Sequence, residues 1–155
     1  MTESTMTHKL VPPPPLVYLV FIGCAWSLGR SLPIDLPTHE LARFGGWVMI
    51  GIGVVLMLWS ALVMFRYRTT INPYGKPTRL LQNGPFRLSR NPIYLADTFV
   101  YCGVGLLLES LWPWLLLPLL ILCMQRMVII REEHLLTRLF GDDYRTYRRR
   151  VRRWL

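Results

Sequence analysis

The chain has 155 residues, of which 52% are hydrophobic, yet it carries a formal net charge of +9 at pH 7. Apolar and basic residues are segregated: residues 45–65 and 111–124 contain no charged side chain, whereas residues 66–90 and 131–153 are rich in arginine. This pattern is typical of membrane spans separated by basic loops, and it argues against a soluble basic module that binds nucleic acid. The scattered cysteines and histidines predict neither a disulfide framework nor a metal site.

Apolar segments with membrane-spanning length occur at four places along the chain. They are Leu16–Leu32, Phe44–Phe65, Pro92–Leu108 and Leu111–Ile130. Only Glu109 and Ser110 separate the last two, which predicts a tight helical hairpin, and we expect the last helix to continue through Phe140. The predicted fold is all-α. It is a polytopic integral membrane protein of about four transmembrane helices, with a C-terminal hairpin and a cytoplasmic C-terminal segment.

Charge bias between the connections predicts the orientation in the membrane. Residues 66–91 carry six basic side chains and no acid, and residues 131–155 carry eight arginines against four acids. The other two connections are neutral or acidic. Because basic loops stay on the cytoplasmic side, both termini are expected in the cytoplasm and the chain in the inner membrane.

Two charged residues, Asp97 and Arg126, fall inside the third and fourth predicted spans. A charge at mid-span costs about 2.5–3.5 kcal/mol on insertion scales, so such a residue usually has a partner or a function. Asp97 lies 13 residues before the hairpin turn at residue 110 and Arg126 lies 16 after it, which places them within about 4–5 Å in depth. Two interpretations stay open. The pair forms a salt bridge, or Arg126 points into a cavity and holds a polar substrate group.

A pair of acids, Glu132 and Glu133, follows the last apolar segment. No cation lies three or four positions from either acid, so pairing along the helix does not satisfy them. Solvation at the surface is one interpretation. The other is binding of a vicinal diol such as a ribose, because a carboxylate can accept both hydroxyl hydrogen bonds.

The loop before the third span has the turn signature Asn83-Gly84-Pro85. Asn91 precedes Pro92 and is therefore biased out of the α region. We expect Asn91 to cap the following helix and to leave backbone groups free to face a ligand. An ordinary connecting loop is the simpler alternative.

Linked motifs in residues 78–154 resemble the isoprenylcysteine carboxyl methyltransferase family and the related phospholipid N-methyltransferases. They are Gly84-Pro85-Phe86, Arg90-Asn91-Pro92-Ile93-Tyr94, Glu132-Glu133 and Phe140-Gly141-Asp142-Asp143-Tyr144-Arg145-Thr146-Tyr147. Gly103-Val104-Gly105 also resembles a G-x-G of the phospholipid branch, although helix packing is the simpler role for it.

The resemblance implies that S-adenosylmethionine binds at the cytoplasmic face, between the hairpin and the C-terminal segment. Glu132 is implied as the ribose ligand, with Glu133 beside it, and Tyr94 and Arg126 are the candidate catalytic residues. The residues implied to line the rest of the cofactor are Thr78, Arg79, Leu80, Leu81, Phe86, Asn91, Pro92, Ile93 and Tyr94. Asn91 stands where eukaryotic prenylcysteine enzymes have histidine.

The resulting prediction is a single membrane domain over residues 1–155, with N-terminal spans in 1–65 and a cofactor-binding half in 66–155. The resemblance implies that this domain methylates a lipophilic acceptor (a carboxylate, amine or thiol), which is expected to enter from the bilayer. Proximity of acceptor and cofactor supplies most of the catalysis. The alternatives are a small dimeric four-span transporter that uses Asp97, and a lipid-binding scaffold with a basic tail. The acceptor and the oligomeric state are left open.

Overall fold

The computed structural model describes residues 12–36, 39–68 and 78–155, so Lys76 of the predicted basic loop lies outside the described residues. The described chain is all-helical, as predicted, and extended pairing within it is limited to a bridge between Asp35 and Ser110. The helices are α1 (Pro14–Ser31), α2 (Glu40–Arg66), α3 (Pro92–Leu107), α4 (Trp112–Met124) and α5 (Ile130–Arg150). A 3₁₀ turn, Gly84–Arg87, precedes α3, and a π turn, Gln125–Ile129, joins α4 to α5.

Helix α1 begins with two prolines, which suit the first turn of a helix because the amide hydrogens there have no intrahelical acceptor. Its buried face includes Tyr18, whose hydroxyl donates to the carbonyl of Tyr94 at 3.0 Å and lies 2.9 Å from the Thr98 hydroxyl. Helix α1 is thereby fastened to the first two turns of α3.

Helices α2 and α3 pack closely because glycines lie at their contact. A Cβ atom added at Gly53 would lie 2.7 Å from the carbonyl oxygen of Ala96, and one added at Gly103 would lie 2.6 Å from that of Gly46. Glycines at Gly53 and Gly103 therefore allow the backbones of the two helices to approach closely. Gly51, on the same helix as Gly53, faces open space.

The predicted tight hairpin is confirmed at the turn between α3 and α4. Glu109 adopts a positive φ of 52°, the left-handed conformation that reverses the chain. The segment after α1 lies against this turn: the amide of Leu36 donates to the Glu109 carbonyl at 2.9 Å, and the amide of Leu111 donates to the Ile34 carbonyl at 3.0 Å. The first connection and the hairpin turn therefore share one end of the bundle.

The last helix continues through Phe140, as predicted, because α4, the π turn and α5 form one run. Gly141 then interrupts the run with φ 51° and ψ −120°, a conformation that glycine adopts without a Cβ clash. The segment after Gly141 resumes helical geometry and redirects the chain toward the start of α3.

By length and composition, two described helical runs, Glu40–Arg66 and Trp112–Arg150, can cross a membrane. Helix α3 is apolar but has only 16 residues, fewer than the usual span of about 20. The predicted count of four spans is therefore not confirmed and stays a prediction.

Candidate functional site

The candidate site lies where the loop before α3 meets α5 and the tail, residues 151–155. Gly84 opens the 3₁₀ turn with a φ of 61°, which explains the glycine in the Asn-Gly-Pro signature. Helix α3 then begins at Pro92, whose ring fixes a φ compatible with the first helical turn. The loop and the first turn of α3, residues 84–94, thus form one corner of the structure, and this corner lies next to α5.

Tyr94 and Glu132, both predicted cofactor residues, are in direct contact. The Tyr94 hydroxyl donates to Oε1 of Glu132 at 2.7 Å, a short charge-assisted hydrogen bond that fixes the carboxylate. Among the described residues, no hydrogen bond is formed by the other oxygen, Oε2. A carboxylate oxygen offers about two acceptor sites, so Glu132 retains capacity for further donors.

Glu133 points to different partners and is buried. Arg153 binds it in a bidentate manner, with Nε 2.9 Å from Oε1 and Nη2 2.8 Å from Oε2, and Nη1 of Arg90 lies 2.9 Å from Oε1. The interpretation of Glu133 as a solvated surface acid is therefore wrong. Both of its oxygens contact arginine side chains, so Glu133 has structural partners and is not an open binding position.

Electrostatics at Glu133 follow from this pairing. Glu133 lies beyond the apolar part of the long helix, which ends with Ile130. Burial alone would raise the pKa of its carboxyl, but the hydrogen bond from Arg153 and the charges of Arg90 and Arg153 hold that pKa below its usual value. The same hydrogen bond raises the pKa of the Arg153 guanidinium. Glu133 and Arg153 therefore remain charged at neutral pH.

The tail follows the loop backbone closely. The Arg90 amide donates to the Arg152 carbonyl at 3.0 Å, and the carbonyl of Arg153 accepts from the Ser89 hydroxyl at 3.1 Å and from the Asn91 side-chain amide at 3.0 Å. Asn91 occupies the N-cap position of α3, as expected, but its side chain forms no capping hydrogen bond, because its amide donates to the tail.

The backbone groups of Asn91 are likewise engaged. Its amide donates to the Ser89 hydroxyl at 3.1 Å, and its carbonyl accepts from the Leu95 amide at 3.0 Å. The expectation that they stay free for a ligand is therefore wrong. A cofactor contact by Asn91 stays a prediction.

Two tyrosines after Gly141 complete the corner. The Tyr147 hydroxyl donates to the Phe86 carbonyl at 2.6 Å, and Nη1 of Arg90 lies 3.4 Å from the Tyr144 hydroxyl. Residues three apart share a helix face, so the Tyr-x-x-Tyr spacing places both rings against the loop. The break at Gly141 is what turns this face toward Phe86.

The other predicted site residues differ in their exposure to solvent. Arg126 is exposed and forms no ion pair with Asp97, which is 7% exposed, so the proposed salt bridge between them is absent. Thr78 and Arg79 are exposed, and the Thr78 hydroxyl donates to the Arg68 carbonyl at 3.2 Å. In the described parts of the chain, no side-chain hydrogen bond joins residues 78–81 to Glu132. Leu80, Leu81 and Ile93 are partly buried.

An apolar groove of about 500 Å³ lies between α2 and α3 and reaches the loop. Its walls are hydrophobic side chains of both helices, and its end is formed by the loop. The lining residues are Val48, Gly51, Ile52, Val55, Leu56, Trp59, Pro85, Leu88, Ser89, Pro92, Leu95, Phe99 and Leu155. The loop therefore contacts α5 and the tail and also lines the groove.

The family model described as phospholipid methyltransferase matches residues 41–143, from the first turn of α2 into α5. The match covers about two thirds of the chain, and the protein belongs to this family. The family is one of membrane methyltransferases, so its membership, together with the two apolar helical runs, supports methyltransferase activity and membrane association.

Two curated relatives are also similar to the chain. It is 32% identical over 101 residues to the nickel-cobalt-cadmium resistance protein NccN of Alcaligenes xylosoxydans xylosoxydans, which covers 64% of this chain and 44% of that protein. It is 38% identical over 63 residues to an uncharacterized protein of Haemophilus influenzae, which covers 41% of this chain and all of that protein. The chain thus spans less than half the length of NccN. No solved structure matches.

Sequence reasoning missed the partners of Glu133. The signal that could have found them was already visible, because an acid without a helical cation partner needs a tertiary one if it is buried. The family resemblance also reached only from residue 78, whereas the family match includes α2.

Proposed function

We propose that the protein is an S-adenosylmethionine-dependent methyltransferase that acts on a lipophilic acceptor at the cytoplasmic membrane face. The observation that carries the proposal is the contact between Tyr94 and Glu132 at 2.7 Å, inside a family of methyltransferases. It joins two motif residues that are 38 positions apart in the chain, and it leaves one carboxylate oxygen for a donor.

The residues around Glu132 fit the proposed cofactor. A ribose diol presents two hydroxyl donors, and a carboxylate held by one tyrosine can accept from both. Phe86, Asn91 and Ile93 lie on the same corner and would contact the rest of the molecule. Bound there, the sulfonium cofactor supplies an activated methyl group.

The chain itself then has to orient the acceptor and exclude water. Alignment of two bound reactants can supply about 7–11 kcal/mol of the barrier, so a protein without a strong general base remains competent. A carboxylate acceptor needs no deprotonation. Tyr94 is the candidate catalytic residue nearest to the proposed site, and Arg126, exposed on the π turn, is the second.

The groove between α2 and α3 supports a lipophilic acceptor. Its lining is hydrophobic apart from Ser89, and it ends at Pro85 and Pro92 of the loop that also carries the cofactor residues. An acyl or isoprenoid chain lying between the two helices would therefore bring its polar end to this loop. We propose that acceptors enter from the bilayer and the cofactor from the cytosol, with both termini cytoplasmic.

The transporter alternative loses support. A transporter would use Asp97 as a coupling site and would not need an ordered loop before α3. In this protein that loop is held by α5 and the tail, and the family is one of methyltransferases. The scaffold alternative assigned the basic tail to lipid headgroups, but Arg153 is committed to Glu133.

Ligand stabilisation tests the proposal. Saturating S-adenosylhomocysteine at about 100 times its Kd should stabilise the purified protein in detergent by about 2.7 kcal/mol, visible as a rise in Tm. Glu132→Ala should abolish the rise, whereas Glu109→Ala, an exposed acid at the hairpin turn, should keep it. The absence of a rise in the wild type would refute the cofactor assignment. Methylation of lipid extracts with labelled cofactor then identifies the acceptor.

A further inference from the structure

The two adjacent acids on α5 face different groups. Successive residues of an α-helix point about 100° apart, so one faces Tyr94 while the other faces the arginines. Glu132 receives the Tyr94 hydroxyl, and Glu133 receives Arg90 and Arg153. Because both acids belong to one helix, anything that fixes Glu133 also fixes the direction in which Glu132 points.

The ion pair around Glu133 is largely withdrawn from solvent. The side chains of Arg90 and Glu133 are 9% and 10% exposed, and that of Arg153 is 29% exposed. A buried ion pair adds little net stability, since desolvation offsets the attraction, but its geometry can select one arrangement of the elements that it joins. Here it joins three: the loop through Arg90, α5 through Glu133, and the tail through Arg153.

The tail backbone also forms hydrogen bonds with the same loop. Carbonyls of Arg152 and Arg153 accept three hydrogen bonds from Ser89, Arg90 and Asn91, at 3.0–3.1 Å. These three loop residues lead directly into the first turn of α3, which carries Tyr94. If the tail moved away, the loop would lose these bonds, and Glu133 would lose its bidentate contact with Arg153.

We propose that Arg90, Glu133 and Arg153 form a clamp that positions the cofactor loop against Glu132, and that Glu133 and Arg153 act as positioning residues without touching the cofactor. The inference rests on the proposed function and refines it. It divides the Glu132-Glu133 pair into one binding residue and one positioning residue, and it gives the tail a part in the site.

A matched pair of arginine variants tests the clamp. Arg153→Gln removes the bidentate contact, whereas Arg152→Gln removes the same charge from an exposed neighbouring side chain and keeps its backbone bond. We expect Arg153→Gln to raise the Kd for S-adenosylhomocysteine at least tenfold. Arg152→Gln should bind as the wild type does. Arg153→Lys, which keeps the charge but loses the fork, should recover part of the affinity.

Amide hydrogen exchange without any ligand provides a second readout. In Arg153→Gln, exchange should accelerate at the Arg90 and Asn91 amides, whereas α2 should keep its wild-type protection. Equal effects of Arg153→Gln and Arg152→Gln on affinity and exchange would overturn the clamp, because they would show that only tail charge matters. So would unchanged loop exchange in Arg153→Gln. If wild-type protein fails to bind S-adenosylhomocysteine, the proposed function fails, and the exchange comparison alone then decides whether the clamp exists.

Discussion

Removing one hydroxyl group tests the contact on which the proposed cofactor site depends. Tyr94→Phe deletes the donor that lies 2.7 Å from Oε1 of Glu132 and leaves the ring in place. A hydrogen bond to a charged group contributes about 1.5–3 kcal/mol, and the lower value applies because Glu132 is partly exposed. If this energy serves to hold the carboxylate in its binding orientation, about 1.5 kcal/mol corresponds to a roughly tenfold rise in the Kd for S-adenosylhomocysteine. Titration calorimetry of detergent-solubilised protein measures this directly.

Tyr101→Phe is the matched control on the same helix. The Tyr101 hydroxyl is also buried and donates to the Pro113 carbonyl at 2.9 Å, far along α3 from Glu132. Its loss should cost about 1 kcal/mol of unfolding free energy, as for an ordinary neutral hydrogen bond, and leave the Kd unchanged. The reasoning is refuted if Tyr94→Phe binds as tightly as the wild type, or if both variants weaken binding equally, since the effect would then be one of general destabilisation.

Two further comparisons test the helix packing and the charged residues of the hairpin. Gly53→Ala places a methyl group 2.7 Å from a carbonyl oxygen of α3 and should destabilise the protein by about 1–3 kcal/mol. Gly51→Ala, which meets nothing within 4 Å, should be neutral or stabilising by up to about 1 kcal/mol. Denaturant unfolding measures both changes, and equal effects of the two variants would contradict the packing. Asp97→Asn and Arg126→Gln should have additive effects on stability, because no ion pair joins the two side chains; a coupling energy above about 1 kcal/mol in the double-mutant cycle would show that they interact.

Features written in local patterns could be predicted from the sequence. The hairpin follows from two apolar segments separated by Glu109 and Ser110, and the structure places the reversal there. The continuation of the last helix through Phe140 follows from unbroken helix-forming sequence, and Gly141 marks its interruption. Each depends on neighbours in the chain, so apolar pattern and backbone preference were sufficient to find it.

Features that depend on distant partners could not be predicted in the same way. The bond between Asn91 and the tail joins residues 62 positions apart, and nothing in the turn signature indicates it. Local preference placed Asn91 correctly at the helix start but did not indicate that its side chain binds the tail. For Glu133, the choice between solvent and tertiary arginines depended on burial, which neighbouring residues do not determine. The predicted salt bridge between Asp97 and Arg126 is absent for a related reason, because an equal depth in the membrane does not determine which way a side chain points.

The position of the loop links the two halves of the proposed reaction. Pro85, Ser89 and Pro92 line the apolar groove, while Asn91 and Tyr94, from the same short stretch, face the tail and Glu132. A lipophilic acceptor in the groove and a cofactor against Glu132 would therefore both be positioned by this one short loop. Since methyl transfer requires an in-line approach, small shifts of this loop would misalign both reactants together. A site with few chemically active side chains depends on alignment, and contacts of the loop with both α5 and the tail would maintain that alignment.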